Sequence, residues 1–213
     1  DETTVIGKVH EIKAHYGIEK IVFVGDRGMV TRSNIDALED EEDLQTISAL
    51  THGEMMTLLK DKVIELDLFD ERNIHEVTDP SNPSRRYCLC RNSMTAHRES
   101  DTRQRLLDLT AIALQGIADY RRKTTVEKLG ARVGQVLGKY KMGKFIRWSI
   151  EADPANCESR THRLLWSIDA DKVALEKRFD GCYIISSDVD KAQMNTLEVV
   201  NAYRSLTFVE RAF

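Results

Sequence analysis

Along the first sixteen residues the apolar positions fall at Val5, Val9, Ile12 and Tyr16. Spacings of four, three and four predict one face of a short amphipathic helix, and Gly17 is placed to end it. The period then changes. Ile18 leads into Ile21-Val22-Phe23-Val24, a run of mostly β-branched apolar residues that predicts a strand over 18–25. An unbroken run of this kind reads as a central strand covered on both faces, as in parallel or mixed α/β sheets. Gly25-Asp26-Arg27-Gly28 closes the strand with turn residues, and a helix over 34–38 with Ser33 or Asn34 as its cap is expected to follow. Further on, 44–50 predicts another strand and 52–60 a short helix around Met55, Met56, Leu58 and Leu59. Asp79-Pro80-Ser81-Asn82-Pro83-Ser84 is the clearest loop, and Tyr87 to Cys90 forms a short strand after it. From 100 to 128 the pattern is that of a long helix or helical hairpin, with Leu106, Leu109, Ala113 and Ile117 as its apolar stripe. Two alternating stretches, 145–150 and 164–168, predict strands that a charged turn at 169–171 interrupts.

The last forty residues are the most readable. Gly181-Cys182-Tyr183-Ile184-Ile185 predicts a second strongly apolar strand, entered by Asp180. Asn195 followed three residues later by Glu198 is a capping-box signature. Behind it a helix presents Val199, Tyr203, Leu206 and Phe213, with Ala202 and Val209 on its flank. The expected architecture is therefore α/β: segments 1–40 and 179–213 form one mixed sheet with helices, and 41–178 forms an α+β insertion lobe.

Composition adds limits rather than detail. With 213 residues and 41% hydrophobic content the chain can build one sizeable core, or a core with a smaller lobe. The net charge of −4 excludes a uniformly basic nucleic-acid coat, yet the charges are segregated. Residues 36–79 sum to −11 and residues 121–147 to +8. The basic block is Arg121, Arg122, Lys123, Lys128, Arg132, Lys139, Lys141, Lys144 and Arg147; dispersed cations of this kind suit phosphate contacts better than base reading. No run of eighteen apolar residues predicts a membrane span, the opening Asp1-Glu2 does not resemble a signal peptide, and Cys88, Cys90, Cys157 and Cys182 read as free thiols of a cytoplasmic protein. Cys88-x-Cys90 has no partner pair at metal-site spacing. Trp148 and Trp166 are expected in the core of the insertion lobe.

Two carboxylates stand in unusual places. At about 100° per residue, Val199, Tyr203, Leu206, Glu210 and Phe213 fall within about 80° of arc, which sets Glu210 in the middle of a face expected to be buried. A buried carboxylate is costly unless paired, hydrogen-bonded or metal-bound. Asp26 stands at the C-terminal end of an apolar strand, where open α/β sheets place their ligands. A strand-end aspartate and a helical glutamate are what a Mg²⁺-dependent phosphoryl-transfer site requires, together with a further carboxylate. An Asx turn at Asp26 and an arginine partner for Glu210 are the structural alternatives. Gly25-x-x-Gly28 lacks the spacing of a dinucleotide fingerprint.

The segment Ile21-Val22-Phe23-Val24-Gly25-Asp26-Arg27-Gly28-Met29, running on to Asn34-Ile35, resembles the strand and turn carrying the second aspartate of the DDE transposases of bacterial insertion sequences. Within them it is most similar to the group whose ribonuclease-H-like core is interrupted by a long insertion. Phe179-Asp180-Gly181-Cys182-Tyr183-Ile184-Ile185-Ser186-Ser187 resembles that group's last core strand, and Tyr203-Arg204 with Val209-Glu210-Arg211-Ala212-Phe213 resembles its glutamate helix. The resemblance implies a partial ribonuclease-H-like core that cleaves double-stranded DNA at transposon ends and transfers strands through the freed 3′-hydroxyl. It implies Asp26 and Glu210 as catalytic ligands of Mg²⁺ (or Mn²⁺), with Arg27, Tyr203 and Arg204 as DNA or phosphate contacts, and a homodimer on paired ends. The sequence departs from the family pattern in two ways: Leu206 replaces an arginine common four residues before the glutamate, and no strand bearing the family's first aspartate precedes the opening helix. The expectation is a piece of a longer transposase that is inactive by itself. Two other functions fit the same residues, a non-catalytic DNA-binding or protein-interaction piece and a ribonuclease-H-like nuclease.

Overall fold

A computed structural model describes residues 2–26, 44–120, 122, 124–157 and 160–210, with side chains at all of these except 2–6, 9, 154–157, 160, 161, 207, 209 and 210. In chain order the described elements are α1 (Glu2–Tyr16), β1 (Ile21–Gly25), β2 (Leu44–Ala49), α2 (His52–Lys60), β3 (His75–Asp79), β4 (Asn82–Arg91) and α3 (Ser93–Ala118). They continue with α4 (Val126–Tyr140), β5 (Ile146–Cys157), β6 (Arg160–Ile168), α5 (Ala170–Arg178), β7 (Cys182–Ser187) and α6 (Thr196–Glu210). Two compact units divide the chain: Asp1–Asn92 with Cys182–Phe213, and Ser93–Gly181.

The first unit is a mixed α/β fold on a five-stranded sheet of order β1-β2-β7-β4-β3. β1 and β2 run parallel, from Ile21 opposite Leu44 to Gly25 opposite Ser48. Every other pairing is antiparallel: β2 with β7, β7 with β4, and the β3–β4 hairpin. Of the three interior strands, β4 and β7 carry apolar runs: Cys88, Leu89 and Cys90 of β4 and Ile184 and Ile185 of β7 are all buried. β2 instead buries Thr46 and Ser48 beside Ile47. An apolar run fits coverage on both faces, but it does not by itself fix central placement. α6 covers one face: Val199 and Val200 are fully buried and pack with Ile47, Cys88, Cys90, Ile185 and Val189. Its start is set locally, as expected. The Asn195 side chain accepts from the backbone N–H groups of Leu197 and Glu198, and Glu198 accepts from the Asn195 N–H at 2.7 Å. Thr51 and Glu54 form the same reciprocal capping box at the start of α2.

Several expectations need correction here. Among the described residues β1 lies at the edge of the sheet rather than at its centre, with β2 as its one neighbour; its first four residues are half-buried. The sheet also takes in β2, β3 and β4, so the second unit begins at Ser93 and the boundary near 40 does not hold. The loop expected over 79–84 shortens to the turn Pro80-Ser81 between β3 and β4, with Asn82 already paired to Asp79. In α1, Ile12 and Tyr16 are exposed at 41% and 70%, so the apolar stripe is not buried at its described end; periodicity marks a face, but only a covering element buries it. The helix expected at 34–38 lies outside the described residues.

The second unit packs the helices α3 and α4 with the antiparallel β5–β6 hairpin around Leu107, Leu114, Leu129, Val133, Phe145, Ile146 and Leu164. The expected long helix or helical hairpin over 100–128 is met by α3, which begins at Ser93 and ends at Ala118, while α4 lies mostly beyond that range; the apolar stripe also differs. Leu107, Thr110 and Leu114 are the buried positions of α3, while Leu109 is 41% exposed, a shift of about one residue around the helix. The two tryptophans face each other across the strand pair, yet only Trp166 packs on the core and Trp148 is 42% exposed. The charged turn at 169–171 is a helix start: the Asp169 side chain accepts from the Lys172 N–H and caps α5. Asp180 is buried and receives both terminal nitrogens of Arg103, at 2.7 and 2.5 Å, while Glu99 accepts from the Gly181 N–H. No described helix is long and apolar enough to cross a membrane.

Candidate functional site

The parallel alignment of β1 and β2 brings their C-terminal ends to one edge of the sheet. The antiparallel β7 starts at that edge, and β4 ends there, with Arg91 opposite Cys182. Carboxyl ends of parallel strands are where such sheets bind ligands, since the chain must turn away and leaves backbone and loop groups facing a crevice. Asp26 follows β1 directly and is exposed. Its Oδ1 accepts a hydrogen bond from the Tyr203 hydroxyl at 3.2 Å, a contact that joins residues 177 positions apart. Tyr203 belongs to the flank of α6 that packs on β1 and β2, so burial of Val199 and Val200 fixes where its phenol reaches.

Position 210 is the last residue of α6, and its side chain lies outside the described residues. Its backbone place is set by helix geometry: seven residues beyond Tyr203 is about 20° around the axis and about 10 Å along it. Asp26, Tyr203 and the backbone of Glu210 therefore belong to one unit. Arg27 lies outside the described residues.

Beside this pair stands a second polar contact that the sequence did not single out. Arg204 donates to the Tyr183 hydroxyl from Nε at 3.2 Å and from a terminal nitrogen at 3.0 Å. Burial, with a contribution from neighbouring Cys90, pushes the Tyr183 phenol above its usual range, although Arg204 draws it back. The phenol therefore stays protonated at neutral pH and positions the guanidinium. A tyrosine with a polar tip at the head of an otherwise apolar strand was the available signal. Cys88 and Cys90 lie beneath on the same face of β4; burial pushes the Cys88 thiol up to about 12 and raises that of Cys90 as well. Cys88, Cys90 and Cys182 are all free thiols, in line with the reading from spacing.

The donor chemistry at Asp26 fits a hard divalent cation: a carboxylate oxygen at an exposed strand end, oriented by a neutral phenol. Among the described residues no group of three or more His, Cys, Asp or Glu side chains converges to hold a metal ion.

The basic block separates into two kinds of residue. Lys144 is tied to Glu176 at 2.6 Å, and Arg147 to the buried Asp169 at 2.8 Å. Lys128, Arg132 and Lys139 stand on α4, and Lys141 caps its C-terminus in the left-handed conformation at φ 55°. Arg122 is exposed, whereas Arg121 and Lys123 lie outside the described residues. Asp26, Tyr203 and Arg204 belong to the first unit and the basic block to the second. Comparison with protein-family models, with curated proteins and with solved structures finds no match to this chain.

Proposed function

We infer that this chain carries part of the catalytic site of a DDE-type DNA transposase with a ribonuclease-H-like core. The observation that supports the reading most is the Tyr203–Asp26 hydrogen bond. It ties the strand end that resembles the family's second aspartate segment to the helix that resembles its glutamate helix, and it does so at the carboxyl edge of a mixed sheet. Asp26 and Glu210 are the ligands that would hold Mg²⁺, which when bound polarises a DNA phosphate and activates water or a 3′-hydroxyl. Tyr203 orients the Asp26 carboxylate. Arg204, held by Tyr183, presents a cation to a phosphate oxygen at the same edge. Both carboxylate-bearing segments belong to one compact unit, which supports the reading because misplacement of a ligand by about 1 Å costs orders of magnitude in rate.

The test is cleavage of duplex DNA bearing the element's ends, with Mg²⁺, by the full-length protein. Asp26→Asn and Glu210→Gln each keep side-chain size and remove the negative oxygen, and each is expected to nearly abolish cleavage while leaving DNA binding in place. Full cleavage by Asp26→Asn overturns the reading. DNA binding with no cleavage by the unsubstituted protein favours the non-catalytic alternative.

A further inference from the structure

The second unit has a row of cations that the carboxylate site does not use. On α4, Leu129 and Val133 are buried, and Val136, Leu137 and Tyr140 pack against the same core. This leaves one flank carrying Lys128, Arg132, Gln135 and Lys139, which fall within about 60° of arc. Eleven residues separate the first lysine from the last, so the row is about 16 Å long and straight. Lys128 and Lys139 are exposed, and Arg132 is half-buried with its guanidinium stacked 4.4 Å from the centre of the Tyr120 ring. This cation–π contact holds the guanidinium in place on the helix flank. Among the described residues none of the three is in an ion pair, in contrast to Lys144 with Glu176 and Arg147 with Asp169. The one acidic residue of the helix, Glu127, stands about 100° or more away from the row.

We propose that this flank of α4 grips the phosphate backbone of duplex DNA without reading its sequence. The identity of the polyanion rests on the transposase reading; the surface itself stands on the geometry. A duplex presents a phosphate about every 3.4 Å of axis on each strand, and because the strand winds round the axis a straight row of about 16 Å faces about three of them. Three cations held in line by a packed helix meet such a ligand with little ordering cost, and phosphate contacts position a protein while carrying no base information. The two ion-paired cations contribute little, because their charge is already met by a carboxylate.

The experiment is fluorescence anisotropy of the full-length protein on two unrelated duplexes, without divalent metal, from about 50 to 200 mM salt. Three phosphate contacts give about 2.7 in the log–log salt slope, so the unsubstituted protein should lose about 40-fold more affinity over this range than Lys128→Gln/Arg132→Gln/Lys139→Gln. The effect should be equal on both duplexes. Lys144→Gln/Arg147→Gln should change the slope by less than about half a unit. If the triple variant fails to fold, Lys128→Gln and Lys139→Gln, both at exposed positions, should each lower the slope by about 0.9. An unchanged slope in the α4 variants overturns the proposal, and so does an equal loss in the ion-paired control. Binding confined to one duplex overturns its sequence independence. Binding to poly-glutamate but not to DNA overturns it in favour of an acidic protein partner. The slope is read without divalent metal and cleavage is read with Mg²⁺, so failure of the catalytic reading and failure of this surface are distinguishable.

Discussion

Arg103→Met is the substitution with the most calculable consequence. It keeps the volume of the side chain and removes both hydrogen bonds, at 2.7 and 2.5 Å, from an Asp180 that is 5% exposed. Removing one partner of a buried ion pair typically costs about 3–5 kcal/mol, because the remaining charge keeps its desolvation penalty without the lost hydrogen bonds. The expected loss is about 3–4 kcal/mol near pH 7. Asp180→Asn in the same chain should recover most of it. Urea unfolding followed by tryptophan fluorescence is the assay, since Trp148 and Trp166 both lie in Ser93–Gly181, the unit that holds the pair. A loss below about 1 kcal/mol at pH 7 would refute the assignment of Asp180 as a buried fork partner.

Other outcomes follow from the same structure. Glu76 accepts from Arg86, Lys191 and Thr196. Burial pushes its carboxyl up, but those hydrogen bonds and the charges of Arg86 and Lys191 together outweigh burial and hold it below its ordinary value. Its stabilisation is therefore present above the ordinary glutamate range and lost as pH falls through the lowered value, so the stability gap to Glu76→Gln should close on acidification between about pH 5 and 3; a gap that widens there contradicts the network. Cys88, with its thiol raised to about 12 by burial, should resist iodoacetamide at pH 8 until urea opens the sheet, as read by mass spectrometry. Modification in the native protein at the rate of a free thiol would show the sheet to be open. Thr51→Ala removes the acceptor for the Glu54 N–H and should cost about 1 kcal/mol, seen as faster hydrogen exchange at the start of α2; unchanged exchange would mean that the cap is not formed in solution.

What the sequence determined by itself is what lies within a few residues. Asn195 and Glu198 announce the start of α6 because both hydrogen bonds of the box span three residues or fewer. The apolar runs at Tyr87 to Cys90 and at Ile184-Ile185 announce buried strands because consecutive apolar residues set apolar side chains on both faces of a strand. Asp26 at a strand end was legible for the same local reason. Tertiary structure decided the rest. The run at 21–24 reads like those of β4 and β7, yet among the described residues β1 lies at the edge, since strand order depends on which other strands compete for a neighbour. The buried face of α3 shifted by a residue because a helix with apolar side chains around much of its circumference can present several faces, and the core it meets selects one. Nine basic residues were equivalent in the sequence. Pairing with Glu176, 32 positions away, and with Asp169, 22 positions away, separated Lys144 and Arg147 from the row on α4. The contacts that join Tyr203 to Asp26 across 177 residues and Arg103 to Asp180 across 77 leave no periodic trace in the chain, because only the folded backbone sets the distance between such partners.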